Sequence, residues 1–208
     1  MDRHPRLCLS AGHGEGSRHA GQSDPGADVK YDGRPDLTED DYTLAMAKSV
    51  YADLHGLFVH NGGYVMLRNS GVYYRADDEA VLHGCDLFLE IHTNSGGGHG
   101  TEALYESASG RAFAESLAHR VSSALGITDR GAKHRTDLAV LTPHSGMVSG
   151  LVELWFGDSK GDVAAHHAHR DAEVLAIVNA ILHHYGWTEV KSRPSKWTTA
   201  ERMAYKPF

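Results

Sequence analysis

The chain predicts an α/β layered domain. Short apolar runs of strand length alternate with stretches whose apolar residues recur at helical spacing. No internal repeat or linker interrupts the alternation, and 208 residues suffice for one domain with a proper core. We expect that domain to span residues 1–188. Residues 189–208 lack periodicity and read as a tail packed on it.

Residues 6–10 are an apolar run ending in Gly12-His13-Gly14, a buried strand entering a loop. Residues 12–36 are rich in Gly, Asp and Ser and too long for an idle connection, so this loop reads as functional. Thr38 and Asp41 have capping-box spacing, and Leu44, Ala47, Val50, Tyr51 and Leu54 follow on one helical face. Asn61-Gly62-Gly63 is a turn before a second strand at 64–68. Residues 73–83 are weakly helical, and 86–91 (DLFLEI) form a third strand. A mobile loop is expected at 96–100, a strand at 101–105, and a helix at 111–125 from Phe113, Leu117, Val121 and Leu125. Residues 138–141 and 150–155 are further apolar runs. A closing helix at 163–185 turns Val174, Ile177, Val178 and Ile181 inward.

A formal charge of −7 argues against binding nucleic acid, although sixteen histidines add positive charge as pH falls. No apolar run approaches the roughly 20 residues of a membrane span. The first residues lack a signal-peptide core, so a product made in the cytoplasm is expected. Cys8 and Cys85 show no metal or redox spacing and read as small buried thiols.

Open α/β sheets hold their sites beyond the carboxyl ends of the strands. His13 and His92 each follow a strand, Glu153 lies near the end of another, and Glu39 is in the first turn of the first helix. Two imidazoles and one carboxylate are a catalytic zinc set. Glu153, inside the apolar segment GLVELWF, then suits a base that is not itself a ligand. Each residue also has a plainer role. Glu39 would favour a helix N-terminus, His13 would bond loop backbone, and Glu153 would face solvent from an edge strand. His92 is better supported, because polar Thr93 and Asn94 follow it directly. His166, His167 and His169 read as a solvated patch, with no carboxylate or cysteine at useful spacing. Trp187 and Trp197 read as tail anchors.

In their order, these pieces resemble the zinc-dependent N-acetylmuramoyl-L-alanine amidases of the amidase_3 type. Ser10-Ala11-Gly12-His13-Gly14 looks like the first metal motif, and Asp24-Pro25-Gly26-Ala27 is similar to the Asp-x-Gly-Ala element after it. Glu39 matches the second ligand, and Ile91-His92-Thr93-Asn94 the third-ligand motif. Leu67-Arg68 and Tyr74-Arg75 resemble arginine positions of the family. Residues 100–105 are similar to the Gly-x-Glu strand. Residues 129–133 with 138–141 resemble an Arg-Gly element followed by an apolar strand, and residues 152–156 the catalytic glutamate motif. The resemblance runs from about residue 6 to 185.

It implies a twisted, mostly parallel sheet of about six strands with helices on both faces. It also implies Zn2+ as cofactor, peptidoglycan as substrate and a groove walled by residues 13–36 and 96–100. The ligands would be His13, Glu39 and His92, and the catalytic residue Glu153. Asn94 and Glu102 would orient the ligands from behind. Glu90 stands where the family usually has serine and brings an extra carboxylate near the metal. Trp155 replaces a usual glycine and would narrow the groove or stack on sugar. The resemblance further suggests a monomer with no stable membrane insertion, looking like a phage endolysin released through the host membrane at lysis. Two rivals stay open. One is a zinc carboxypeptidase acting on stem peptides, for which Arg68, Arg75, Arg130 and Arg135 offer a carboxylate clamp. The other is a non-catalytic wall-binding module, which would not need all four residues.

Overall fold

The computed structural model describes residues 4–15, 23–34, 36–68 and 76–193. In chain order it has β1 (Arg6–Ala11), β2 (Gly14–Glu15), β3 (Ser23–Asp24), α1 (Glu39–His60), β4 (Tyr64–Arg68), α2 (Ala76–Leu82) and β5 (Leu87–Asn94). There follow β6 (Thr101–Tyr105), α3 (Ala108–Leu125), β7 (Asp129–His134), a 3-10 turn (Ala139–Leu141), β8 (Val148–Phe156) and α4 (Lys160–His184). Six strands form one sheet in the order β4-β1-β5-β8-β6-β7, and β2 and β3 form a separate small hairpin. Strands β4, β1, β5 and β8 are mutually parallel, whereas β6 runs antiparallel to β8, with β7 parallel to β6. The expected α/β class and mostly parallel six-stranded sheet are what the chain adopts.

Strands buried on both faces need apolar residues without alternation. Leu7, Leu9, Leu87, Leu89 and Ile91 face the layer built by α1, α3 and α4. Cys8, Phe88, Leu104 and Leu151 face the thinner layer under α2 and the 3-10 turn. Both cysteines are buried free thiols, as expected. Helix α1 starts where the Thr38 N–H donates to the Asp41 carboxylate at 3.1 Å, and it buries Met46, Ala47, Val50, Leu54 and Phe58. Val174, Ile177, Val178 and Ile181 of α4 are all buried, each contributing about 1.5–3 kcal/mol by leaving water. Among the described residues no helix is long and apolar enough to cross a membrane.

Several sequence expectations are corrected. The charged segment DRGAKH is strand β7, at the sheet edge, where solvent removes the apolar signature. Within residues 138–141, Ala139–Leu141 form a 3-10 turn instead of a strand. Strand β5 extends to Asn94, so His92 lies in the strand and not after it. His166 is not solvated: it is 4% exposed, and its Nδ1 lies 2.7 Å from Oε2 of fully buried Glu173. A kink in α4 at His169 (φ −124°, ψ 19°) lies between these partners, seven residues apart. His167 pairs with Asp32, and His169 is exposed.

Residues just before and at the start of the expected tail contact the helices. Trp187 packs edge-on against Phe58 at 5.0 Å between ring centroids. Val190 exchanges hydrogen bonds of 2.9 and 3.0 Å with Asn179, and Arg193 donates to Asp53 at 2.6 Å. Trp197, with the rest of the tail after residue 193, and the Tyr74-Arg75 pair lie outside the described residues.

Candidate active site

The site is built on the rim where β1, β5 and β8 end. Beyond β1, the Gly12 N–H donates to the Ile91 carbonyl at 2.9 Å, extending the strand pairing by one residue. His13 then turns with φ 66°, the only positive φ of a non-glycine residue among the described ones. That conformation costs about 1 kcal/mol. Glu39, the first residue of α1, is fixed from two sides: Oε2 accepts from the Ala27 N–H at 3.0 Å and Oε1 from the Thr93 N–H at 2.9 Å.

These anchors bring the three expected ligands together. His13 Nε2 is 3.2 Å from Glu39 Oε2, and His92 Nδ1 is 3.1 Å from Glu39 Oε1. One ligand atom from each residue falls within 4.8 Å of the other two. Two glycines make the space. A Cβ on Gly12 would stand 2.4 Å from the His92 ring, and one on Gly26 would stand 2.6 Å from Glu39 Oε2 and 2.8 Å from His13. Two imidazole nitrogens and a carboxylate oxygen, convergent and partly solvent-accessible, fit a catalytic zinc ion.

The electrostatics agree with that fit. Burial would lower the pKa of both imidazoles, but hydrogen bonds with Glu39 outweigh it and raise them, His92 well above its ordinary value. Burial would raise Glu39, yet the two imidazoles hold it well below the usual carboxylate range. The cluster therefore draws positive charge, which protons provide and a cation can replace.

Both histidines are backed by a second carboxylate, an arrangement that fixes which nitrogen faces a metal. Glu90 Oε1 lies 2.8 Å from His92 Nε2, and Asp24 Oδ2 lies 3.4 Å from His13 Nδ1. The backing by Asp24 was not foreseen, although its motif was; nothing in the sequence spacing says which imidazole it meets.

Glu153 sits in β8 between His92 of β5 and Glu102 of β6, its partners in register. Strand β8 is internal, so the solvent-facing reading of Glu153 does not hold. Its Oε2 is buried without a hydrogen-bond partner. Burial first of all, with the charges of Glu39 and Glu102 and against the pull of His92, pushes its pKa up to about 7. Glu102 accepts from Asn94 Nδ2 at 3.3 Å and from Arg130 Nε at 2.6 Å, so both residues expected behind the ligands instead form a network beside Glu153.

Trp155 is not a groove residue. It is fully buried, packed against Tyr42 and His166. The register slips there: His92 pairs with Glu153 but Asn94 with Phe156, leaving an extra residue in β8. This bulge turns Leu154 and Trp155 toward the same layer, which breaks the alternation that would have placed Trp155 beside Glu153. The loop at 96–100 is tied down. Asp158 accepts from the Gly96 and Gly97 N–H groups at 3.0 and 2.8 Å, and Asp162 from that of Gly100 at 2.7 Å. Asp77, Asp78 and His144 form a second group within 4.8 Å, but the 2.8 Å contact of His144 with Asp77 accounts for the imidazole without a metal.

An open α/β sheet carrying two imidazoles and a carboxylate in contact, with a further carboxylate beside them, is a donor set that a metal-dependent hydrolase could use. The chain belongs to the N-acetylmuramoyl-L-alanine amidase family, whose model matches residues 7–183, a span containing His13, Glu39, His92 and Glu153. It is thus a peptidoglycan amidase. The catalytic domain of CwlV, an N-acetylmuramoyl-L-alanine amidase from Bacillus (Paenibacillus) polymyxa, shares the fold with a TM-score of 0.71 at 22% identity, covering 88% of this chain and 99% of that one. AmiC2 of Nostoc punctiforme gives 0.68 at 24% identity over 89% and 99% of the two chains. The catalytic domain of the CD27L endolysin targeting Clostridium difficile gives 0.66 at 21% identity over 86% and 98%. Among curated proteins no match is found.

Proposed function

We propose that the amide between N-acetylmuramic acid and L-alanine is cleaved at this rim, with His13, Glu39 and His92 holding zinc and Glu153 as the general base. The observation that carries this reading is the convergence of three ligand atoms within 4.8 Å beside a carboxylate whose Oε2 is buried and unpartnered. Zinc held there supplies a Lewis acid for the amide carbonyl and for the attacking water. Glu153 takes a proton from water as the new C–O bond forms. It then passes that proton to the amide nitrogen as the C–N bond breaks, leaving a lactyl carboxylic acid and the free amine of L-alanine. Asp24 and Glu90 orient the imidazoles, while Glu102 and Asn94 flank the base. Every group comes from one chain, which suits a monomer acting on the wall.

The test is a digest of purified peptidoglycan by zinc-loaded and chelator-stripped enzyme. New L-alanine amino groups should appear with the loaded enzyme and stop on stripping, then return on adding zinc. Release of a free carboxyl-terminal residue in their place would make the enzyme a carboxypeptidase.

Glu90 has its own readout. Glu90→Gln should weaken zinc binding about 10- to 100-fold in competition with a chromophoric chelator, because the backing of His92 is lost. An unchanged zinc affinity would remove Glu90 from the metal site.

A further inference from the structure

The rim carries charged groups in a line, from the ligands on β1, α1 and β5 to Glu153 on β8, Glu102 on β6 and Arg130 on β7. Arg130 is held on two sides. Its Nε donates to Glu102 at 2.6 Å, and its guanidinium lies 5.0 Å from the centroid of the Phe156 ring. Its side chain remains 34% exposed, and its two Nη groups have no partner among the described residues. The other described arginines considered for a carboxylate clamp are engaged: Arg68 with Glu79 at 2.7 Å, and Arg135 with both oxygens of Asp137 at 2.7 Å. A guanidinium pinned through Nε presents its Nη pair in a fixed orientation, the geometry that takes a carboxylate.

The direction of the line gives that carboxylate an origin. Glu153 returns its proton to the departing amine, so the amine-bearing half of the substrate lies on the Glu153 side of the ligands. The peptide attached to that amine then continues across β6 toward β7. We infer that Arg130 is the subsite for a carboxylate on the stem peptide, carried by the residue that follows L-alanine. This rests on the amidase reading above.

The experiment compares two forms of purified peptidoglycan, one whose second stem residue carries a free α-carboxylate and one carboxamidated there. Each is digested by zinc-loaded wild type, Arg130→Gln and Arg130→Lys, with zinc content and circular dichroism measured on all three. Wild type should prefer the carboxylate form about tenfold in kcat/KM, mostly through KM. Arg130→Gln should bring the ratio to about one, and Arg130→Lys should keep an intermediate ratio as a point charge. Equal cleavage of both forms by active wild type overturns the assignment. So does a fall in rate on both forms with the ratio unchanged in Arg130→Gln, which would make Arg130 merely a brace for Glu102. Release of a carboxyl-terminal residue would mean that Arg130 reads a chain end and not an internal residue. Zinc-loaded wild type that cleaves neither form overturns the amidase reading itself.

Discussion

Glu153→Gln in the zinc-loaded enzyme is expected to lower kcat on peptidoglycan about a thousandfold while leaving zinc content unchanged. The substitution keeps shape and burial but removes the proton acceptor, and Glu153 is not among the three converging ligands. Loss of zinc in the variant would show that the residue is a ligand, and retained activity would remove it as the base. The same substitution should stabilise the metal-free protein. Burial raises Glu153 from 4.5 to about 7. Between those values the folded chain holds a proton that the unfolded chain has released, so stability falls as pH rises through the window. The gap corresponds to about 3 kcal/mol. Metal-free Glu153→Gln should therefore exceed wild type by about that amount at pH 8 and match it near pH 4 in denaturant unfolding. An equal gain at both pH values would assign the effect to packing.

His92→Ala is expected to abolish hydrolysis and weaken zinc binding about a thousandfold. His13 and His92 are both raised in pKa by Glu39 after burial has worked the other way. Zinc must displace any proton these imidazoles carry, and their raised pKa values strengthen that competition, so affinity falls as pH falls. Calorimetry in buffers of different ionisation enthalpy should find fewer protons released per zinc in His92→Ala than in wild type. Undiminished proton release in the variant would mean that His92 does not face the ion.

The fold class was readable because parallel strands covered on both faces must carry continuous apolar runs, such as residues 7–9 and 87–89. His13, His92 and Glu153 were readable as polar residues at the ends of such runs. Arg130 as a rim residue was hidden by topology. Strands β6 and β7 run opposite to the other four, so their amino-terminal ends reach the rim where the other strands end, and a rule about carboxyl ends cannot find a residue at the start of β7. Trp155 was misplaced by one extra residue in β8, which no hydrophobic pattern announces. The pairing of His166 with Glu173 lies across a kink in α4 that has no proline or glycine to mark it. Contacts between side chains far apart in sequence, such as Asp24 with His13 and Glu102 with Arg130, carry no local signature at all.

The order of these groups along the chain has a meaning during synthesis. The three ligands are complete by residue 92, whereas the proposed base arrives only with β8, at residue 153. Chains leave the ribosome amino terminus first. Every nascent or prematurely ended chain shorter than that lacks the proposed base. Unfinished copies therefore lack a complete set of the proposed catalytic groups.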